Sequence, residues 1–297
     1  MENDLNQLPE NNRWQTYLLS LVFALLGFYI LGGTAMGLLI SSRVPVLNEQ
    51  VEVADYFSMN EYFILNLVPF IIGFLLLVFA AKVFHKRPFL SFVTSRTAFD
   101  FKRFGFSFFI WMFLLSAVFT IQWIQSPSMF KWNVNWSDFG MLALITIFLV
   151  PLQTGFEEVF FRGFLQQLLI KSVGKGILAI LMNGILFGAI HSMNPEMEVL
   201  GWPAMVFYVL SGVFTALIAL MDEGIELSWG FHFANNFFGI LIVTTDWQAL
   251  QTNALFVDTS PPAFGWDMII TLILMYPLMI LFFSKVYKWN DWKKRLF

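Results

Sequence analysis

The chain has 297 residues, 58% hydrophobic and 12% charged, with a formal net charge of −3 and a mean hydropathy of +0.70. Soluble globular domains carry about 25% charged residues, so this composition excludes a soluble domain and describes an integral membrane protein. The absence of cysteine excludes disulfides, thiolate metal ligands and a cysteine nucleophile, and basic residues confined to helix ends leave no nucleic-acid footprint.

Apolar runs bounded by charge predict an all-α, multi-pass fold of about eight transmembrane helices. They fall near residues 14–41, 59–84, 104–125, 137–171, 176–193, 201–221, 225–243 and 265–287. No run is left over for a soluble domain, so one membrane domain over 1–297 is expected. Met1 to Asn12 contains Glu2, Asp4 and Glu10 and no basic residue, and the apolar run after Arg13 is too long for a signal-peptide core. It reads as a retained first helix. The second loop carries His85, Lys86, Arg87, Arg96, Lys102 and Arg103, whereas the first carries Glu49, Glu52 and Asp55 beside one Arg43. The positive-inside rule then puts the second loop and both termini in the cytoplasm, with Lys171, Lys175, Lys285 and Arg295 on the same side. Pro69, Pro151 and Pro277 lie inside spans, and Pro151 is expected to open the fourth helix less than two turns before Glu157.

That fourth helix contains Gly155-Phe156-Glu157-Glu158-Val159-Phe160-Phe161-Arg162-Gly163. A charged group at mid-bilayer costs at least about 2.5–3.5 kcal/mol, so three in six residues require a protein interior and a purpose. Glu158 and Arg162 are one turn apart and can pair, leaving Glu157 aimed about 100° away around the helix. Of the three histidines, His85 belongs to the basic loop, while His191 and His232 fall within helices five and seven. His232 shares a face with Asn236. Ser228, one turn before His232, has no glycine-flanked nucleophile elbow and reads as a serine bonding its own backbone.

A free carboxylate, two imidazoles and an amide in a confined polar space suffice for water activation and oxyanion stabilisation. The same donors, Glu157, His191 and His232, could instead hold a divalent metal such as zinc, and residue types do not separate a metal from a metal-free mechanism. Each group also has a plainer reading, as an interhelical tie or a buried structural ion pair. Counted at about 1.5 Å per residue, Glu157 and His191 lie roughly 21 Å and 24 Å from the cytoplasmic loops. His232 lies only about 9 Å beyond Glu226, a mismatch unless the 221–226 loop dips inward or helices four and five bend.

Glu157-Glu158-x-x-x-Arg162, Phe187-x-x-x-His191 and His232-x-x-x-Asn236 together resemble the three motifs of the CPBP family, also called Abi: CAAX prenyl endopeptidases and bacteriocin-processing or immunity-associated membrane proteins. The resemblance covers residues 137–243. It implies an eight-helix CAAX-protease-like fold in which Glu157 and His191 activate water, His232 and Asn236 stabilise the oxyanion, and Glu158 and Arg162 support them. The implied reaction is cleavage near the C-terminus of a membrane-associated, prenylated or unprenylated, peptide or protein. Family members are described as metalloproteases, and a metal-free glutamate mechanism has also been proposed for the fold. Two other classes fit the residues: a proton-coupled transporter, although no repeated halves are found, and a non-catalytic peptide-binding immunity or scaffold protein.

Overall fold

The computed structural model describes residues 13–44, 55–249 and 251–297. The acidic N-terminal stretch and Glu49 and Glu52 of the first loop lie outside them. The fold is all-α and polytopic. Six helices, α1 (Trp14–Ser41), α2 (Met59–Val83), α3 (Phe101–Gln125), α4 (Trp136–Val173), α6 (Trp202–Asp222) and α8 (Trp266–Val286), are long and apolar enough to cross a bilayer.

Two further helices complete the expected series but fall short of spanning length. They are α5 (Gly176–Ile190), with 15 residues, and α7 (Glu226–Leu241), with 16. Sixteen residues rise about 24 Å against a hydrocarbon core of about 30 Å, so the count of full-length spans among the described residues is six rather than eight. The chain leaves α5 at His191, whose φ of −89° and ψ of 0° no longer continue the helix. His191 therefore sits just past the end of α5 rather than within it.

Small residues set the closest approach between helices. A Cβ added to Gly184 would lie 2.8 Å from both the Val209 carbonyl oxygen and the Val213 nitrogen, so α5 and α6 touch backbone to backbone there. Phe101, Phe109 and Phe113 of α3 are more than 70% exposed and face the lipid, while the opposite side of that helix packs along α7. Three short strands close one end: β1 (Phe130–Trp132), β2 (Val243–Thr244) and β3 (Phe256–Asp258). β3 lies between the others, antiparallel to β1 and parallel to β2, with Phe130 opposite Asp258 and Val243 opposite Phe256.

The other end gathers the basic segment onto the turn between α6 and α7. Thr94 bridges Gly224, and Ile225 donates its N–H to Val93 at 2.8 Å. Arg96 pairs with Asp222 at 3.0 Å and Glu226 at 3.1 Å, Arg103 also pairs with Asp222, and Arg295 pairs with Glu223. Asp222 and Glu226 are buried, so the 223–225 turn lies inside the protein. Trp289 is drawn into the same cluster, donating to Asp222 at 3.0 Å.

His85 departs from its expected place among solvated loop residues. It is fully buried, packed edge-on against Tyr17 and Phe92, with Ser20 Oγ 3.0 Å from its Nε2. Burial, reinforced by Arg87 and Lys171, pushes its pKa down to about 4.

Candidate active site

The site is built on α4, whose backbone is irregular where the chemistry lies. Proline 151 has no N–H to continue the ladder, and the regular helix is interrupted at Leu149, φ −104° and ψ −34°. The opening expected at Pro151 is thus displaced two residues upstream. Trp229 of α7 donates to the Pro151 carbonyl at 3.2 Å and to Thr154 Oγ1 at 3.2 Å. Only a glycine fits beneath that indole, because a Cβ at Gly155 would stand 2.4 Å from its ring.

From Val159 to Leu165 the helix widens into a π-helical stretch, a feature that recurs at functional sites. The widening begins immediately after Glu157 and Glu158. Arg162 reaches back across it to Glu158, Nη1 to Oε1 at 3.0 Å, with both side chains fully buried. The arginine also donates to Thr215 Oγ1 and to the Gly212 carbonyl at 3.4 Å, and its guanidinium lies 4.6 Å from the Phe187 ring centre. A buried pair of this kind is stable only when its remaining hydrogen-bonding positions are answered by neighbours.

Glu158 does more than neutralise Arg162. Its Oε1 also accepts from His232 Nδ1 at 2.9 Å, giving the continuous chain Arg162–Glu158–His232 across α4 and α7. With Nδ1 committed to the carboxylate, His232 turns Nε2 toward Glu157, 3.8 Å from its Oε2. The adjacent carboxylates thus meet different faces of one imidazole.

Glu157 is held by a residue that the sequence reading did not single out. Gln153, one turn earlier on α4, donates its amide to Glu157 Oε1 and accepts from Asn236 Nδ2 at 2.9 Å. Glu157, Gln153 and Asn236 therefore form a second chain beside the first. The available signal was Gln153 itself, an amide one turn before Glu157. Glu157 Oε2 is buried and has no hydrogen-bond partner among the described residues.

His191 approaches from the end of α5. Its Nδ1 faces the Phe187 carbonyl at 2.7 Å, its ring stacks on Tyr208 at 4.3 Å, and Asn194 donates to Tyr208 Oη at 3.3 Å. A carbonyl accepts only, so Nδ1 carries the proton and Nε2 is left as an acceptor in the neutral ring. No direct hydrogen bond or ion pair joins His191 to Glu157 among the described residues. The Phe187 ring connects the two imidazoles, 4.6 Å from His191 and 6.3 Å from His232. Ser228 is buried, with its hydroxyl on the Ile225 carbonyl at 3.0 Å, a backbone bond of the kind expected.

Among the described residues no group of three His, Asp or Glu side chains is placed to hold a metal ion, and Glu158 is already committed to Arg162 and His232.

Residues 136–238, containing all seven motif positions, match the family model described as type II CAAX prenyl endopeptidase Rce1-like. Uncharacterized protein YyaK of Bacillus subtilis (strain 168) is 30% identical over 243 residues, covering 79% of this chain and 79% of that protein. No solved structure matches. The three motifs, the apolar helices that carry them and these two likenesses agree, and the chain belongs to the Rce1-like family of type II CAAX prenyl endopeptidases.

Proposed function

We propose that this protein is an intramembrane endopeptidase that hydrolyses a peptide bond near the C-terminus of a membrane-associated peptide or protein, prenylated or not, with Glu157 as general base. One observation carries the reading: Glu157 has one oxygen fixed by Gln153 and the other facing an imidazole at 3.8 Å inside the bundle. A carboxylate anchored at one oxygen is preorganised to take a proton from water at the other.

In this reading water lies between Glu157 Oε2 and His191 Nε2, and the hydroxide formed attacks the scissile carbonyl. The oxyanion then receives hydrogen bonds from the second amide N–H of Asn236 and from His232 Nε2. His232 can donate from Nε2 while Nδ1 serves Glu158 only when both ring nitrogens are protonated, and the buried Glu158 is the anion that accompanies this form. Arg162 keeps Glu158 ionised and in place. The proton collected by Glu157 passes to the leaving amine. These side chains complete the cycle without a metal ion. The gathering of Arg96, Arg103 and the C-terminal helix at one end of the bundle supports cytoplasmic termini, with the basic segment inside.

Mass spectrometry of products from a panel of prenylated and unprenylated peptides, with and without chelator, tests the proposal. Wild-type protein should release a C-terminal fragment, and chelator should leave the rate unchanged. No product from any peptide, together with proton flux in liposomes that depends on Glu157, would place the protein among transporters instead.

A further inference from the structure

His191 is carried at the point where α5 ends, so its ring needs a hold beyond the helix that delivers it. The backbone N–H of His191 turns to the Gly188 carbonyl at 3.0 Å, and the Phe187 carbonyl that a continuing helix would have answered takes the ring's Nδ1 at 2.7 Å. That bond fixes one corner of the imidazole. The torsion about Cβ–Cγ is broad for histidine, so Nε2, on the opposite edge, is free to swing unless something else holds the ring plane.

Tyr208 removes this freedom. It stands on α6, and its ring stacks on the His191 ring at 4.3 Å with 21° between the planes. The two helices are locked together at that level, because a Cβ on Gly188 would lie 2.4 Å from Cγ2 and 3.2 Å from the backbone nitrogen of Val209, the residue after Tyr208. Three residues further along α6, Ser211 Oγ lies 2.8 Å from Tyr276 Oη and ties that helix to α8.

Asn194 holds the tyrosine in turn. It occupies the N-cap position of the short helix Pro195–Leu200, where asparagine ordinarily bonds the first turn, yet its side chain makes no capping bond there. It donates instead to Tyr208 Oη at 3.3 Å. The same short helix is anchored by Glu196, whose Oε1 accepts the Ala249 N–H at 3.0 Å. A cap given up for the phenol, a glycine that brings α5 onto α6 and a near-parallel ring stack all bear on one imidazole.

We propose that Tyr208 is a positioning residue for His191, fixing the plane of the imidazole by stacking, and that Asn194 fixes Tyr208 through its hydroxyl. The proposal rests on the peptidase reading, in which His191 Nε2 must stay aimed at the water beside Glu157. Neither residue needs to touch the substrate to matter, since a displacement of about 1 Å in a reacting group can cost about 10²-fold in rate.

Two readouts on the full chain in detergent test it. The first is NMR of protein carrying isotope-labelled histidine, which gives three ring signals, from His85, His191 and His232, with His191→Gln assigning one of them. The ring current of Tyr208 should place the His191 signal upfield; Tyr208→Leu should move it downfield, and Tyr208→Phe should leave it near its wild-type position. The second readout is kcat and KM on a cleaved peptide. Tyr208→Leu should lower kcat by about 10²-fold with KM within about twofold of wild type. Tyr208→Phe and Asn194→Ala, which lose one neutral hydrogen bond and keep the ring, should lose no more than about tenfold. Tyr208→Met carries the same expectation as Tyr208→Leu if the leucine variant loses its thermal transition. A His191 signal indifferent to Tyr208→Leu overturns the proposal, as does a displaced signal with wild-type kcat. Tyr208→Phe as slow as Tyr208→Leu overturns it by making the hydroxyl the active group, and a loss confined to KM overturns it by placing Tyr208 in substrate binding. A signal displaced by Tyr208→Leu, with no cleavage of any peptide by wild type, would refute the peptidase reading and leave the hold on the His191 ring standing.

Discussion

Gln153 offers the sharpest test of how the site is assembled, because it alone joins the base to the oxyanion amide. Gln153→Ala removes a neutral hydrogen bond from Asn236, 2.9 Å long, and a bond to the Glu157 carboxylate. Neutral bonds contribute about 0.5–1.5 kcal/mol and bonds to charged groups about 1.5–3 kcal/mol. Full loss of both orientations would therefore cost roughly 2–4.5 kcal/mol of transition-state stabilisation, at about 1.4 kcal/mol per tenfold change in rate. A loss of one and a half to three orders of magnitude in kcat/KM is expected, measured on a quenched-fluorescence peptide drawn from the cleaved members of the panel. Asn236→Ala removes an oxyanion donor, worth about 2.7–4 kcal/mol in other hydrolases. If Gln153 acts by holding Asn236 and Glu157, the double variant should lose only the Glu157 part, about 1.5–3 kcal/mol, beyond Asn236→Ala alone, so the cycle is non-additive by the Asn236 part, about 0.5–1.5 kcal/mol. Additive losses, or wild-type turnover in Gln153→Ala with an unchanged thermal transition, would refute the reasoning.

Arg162→Met should strand Glu158 as a buried charge and destabilise the protein by about 3–5 kcal/mol, whereas Arg162→Met with Glu158→Gln should recover part of that loss, both read by thermal unfolding in detergent. His85 titrates near 4 in the folded protein against about 6.5 unfolded, so the folded state binds fewer protons between these values. Its effect is absent above pH 6.5 and grows as pH falls toward 4, reaching about 3 kcal/mol at about 1.36 kcal/mol per unit; His85→Gln should flatten that part of the stability curve. Gly184→Leu should separate α5 from α6, because even a Cβ there meets Val209 and Val213 backbone at 2.8 Å, and overpacking of this kind costs about 1–3 kcal/mol. Loss of cleavage alongside a lowered melting temperature would show that α5 carries His191 into place.

The helices were legible because hydropathy over 20 residues is a collective signal that no single contact overrides. Their ends were not, because His191 and Glu226 stop or start helices through local backbone geometry and buried ion pairs. The Glu158–Arg162 pair followed from i,i+4 spacing, since helical geometry fixes which side chains share a face. His232 on Glu158 and Gln153 between Glu157 and Asn236 did not, because each contact except Gln153–Glu157 joins residues more than 70 positions apart. The burial of Asp222 and Glu226 was likewise hidden: acidic residues in a short interhelical turn read as solvated until Arg96 and Arg103 are seen to cover them.

The account depends on the carboxylate of Glu157 acting as a base, and Glu157→Gln changes that property while keeping nearly the same shape. Purified variant and wild type, matched for melting temperature and incubated with a peptide the wild type cleaves, should differ by the entire measurable rate. Cleavage by the variant at a rate close to wild type would contradict the mechanism at its first step.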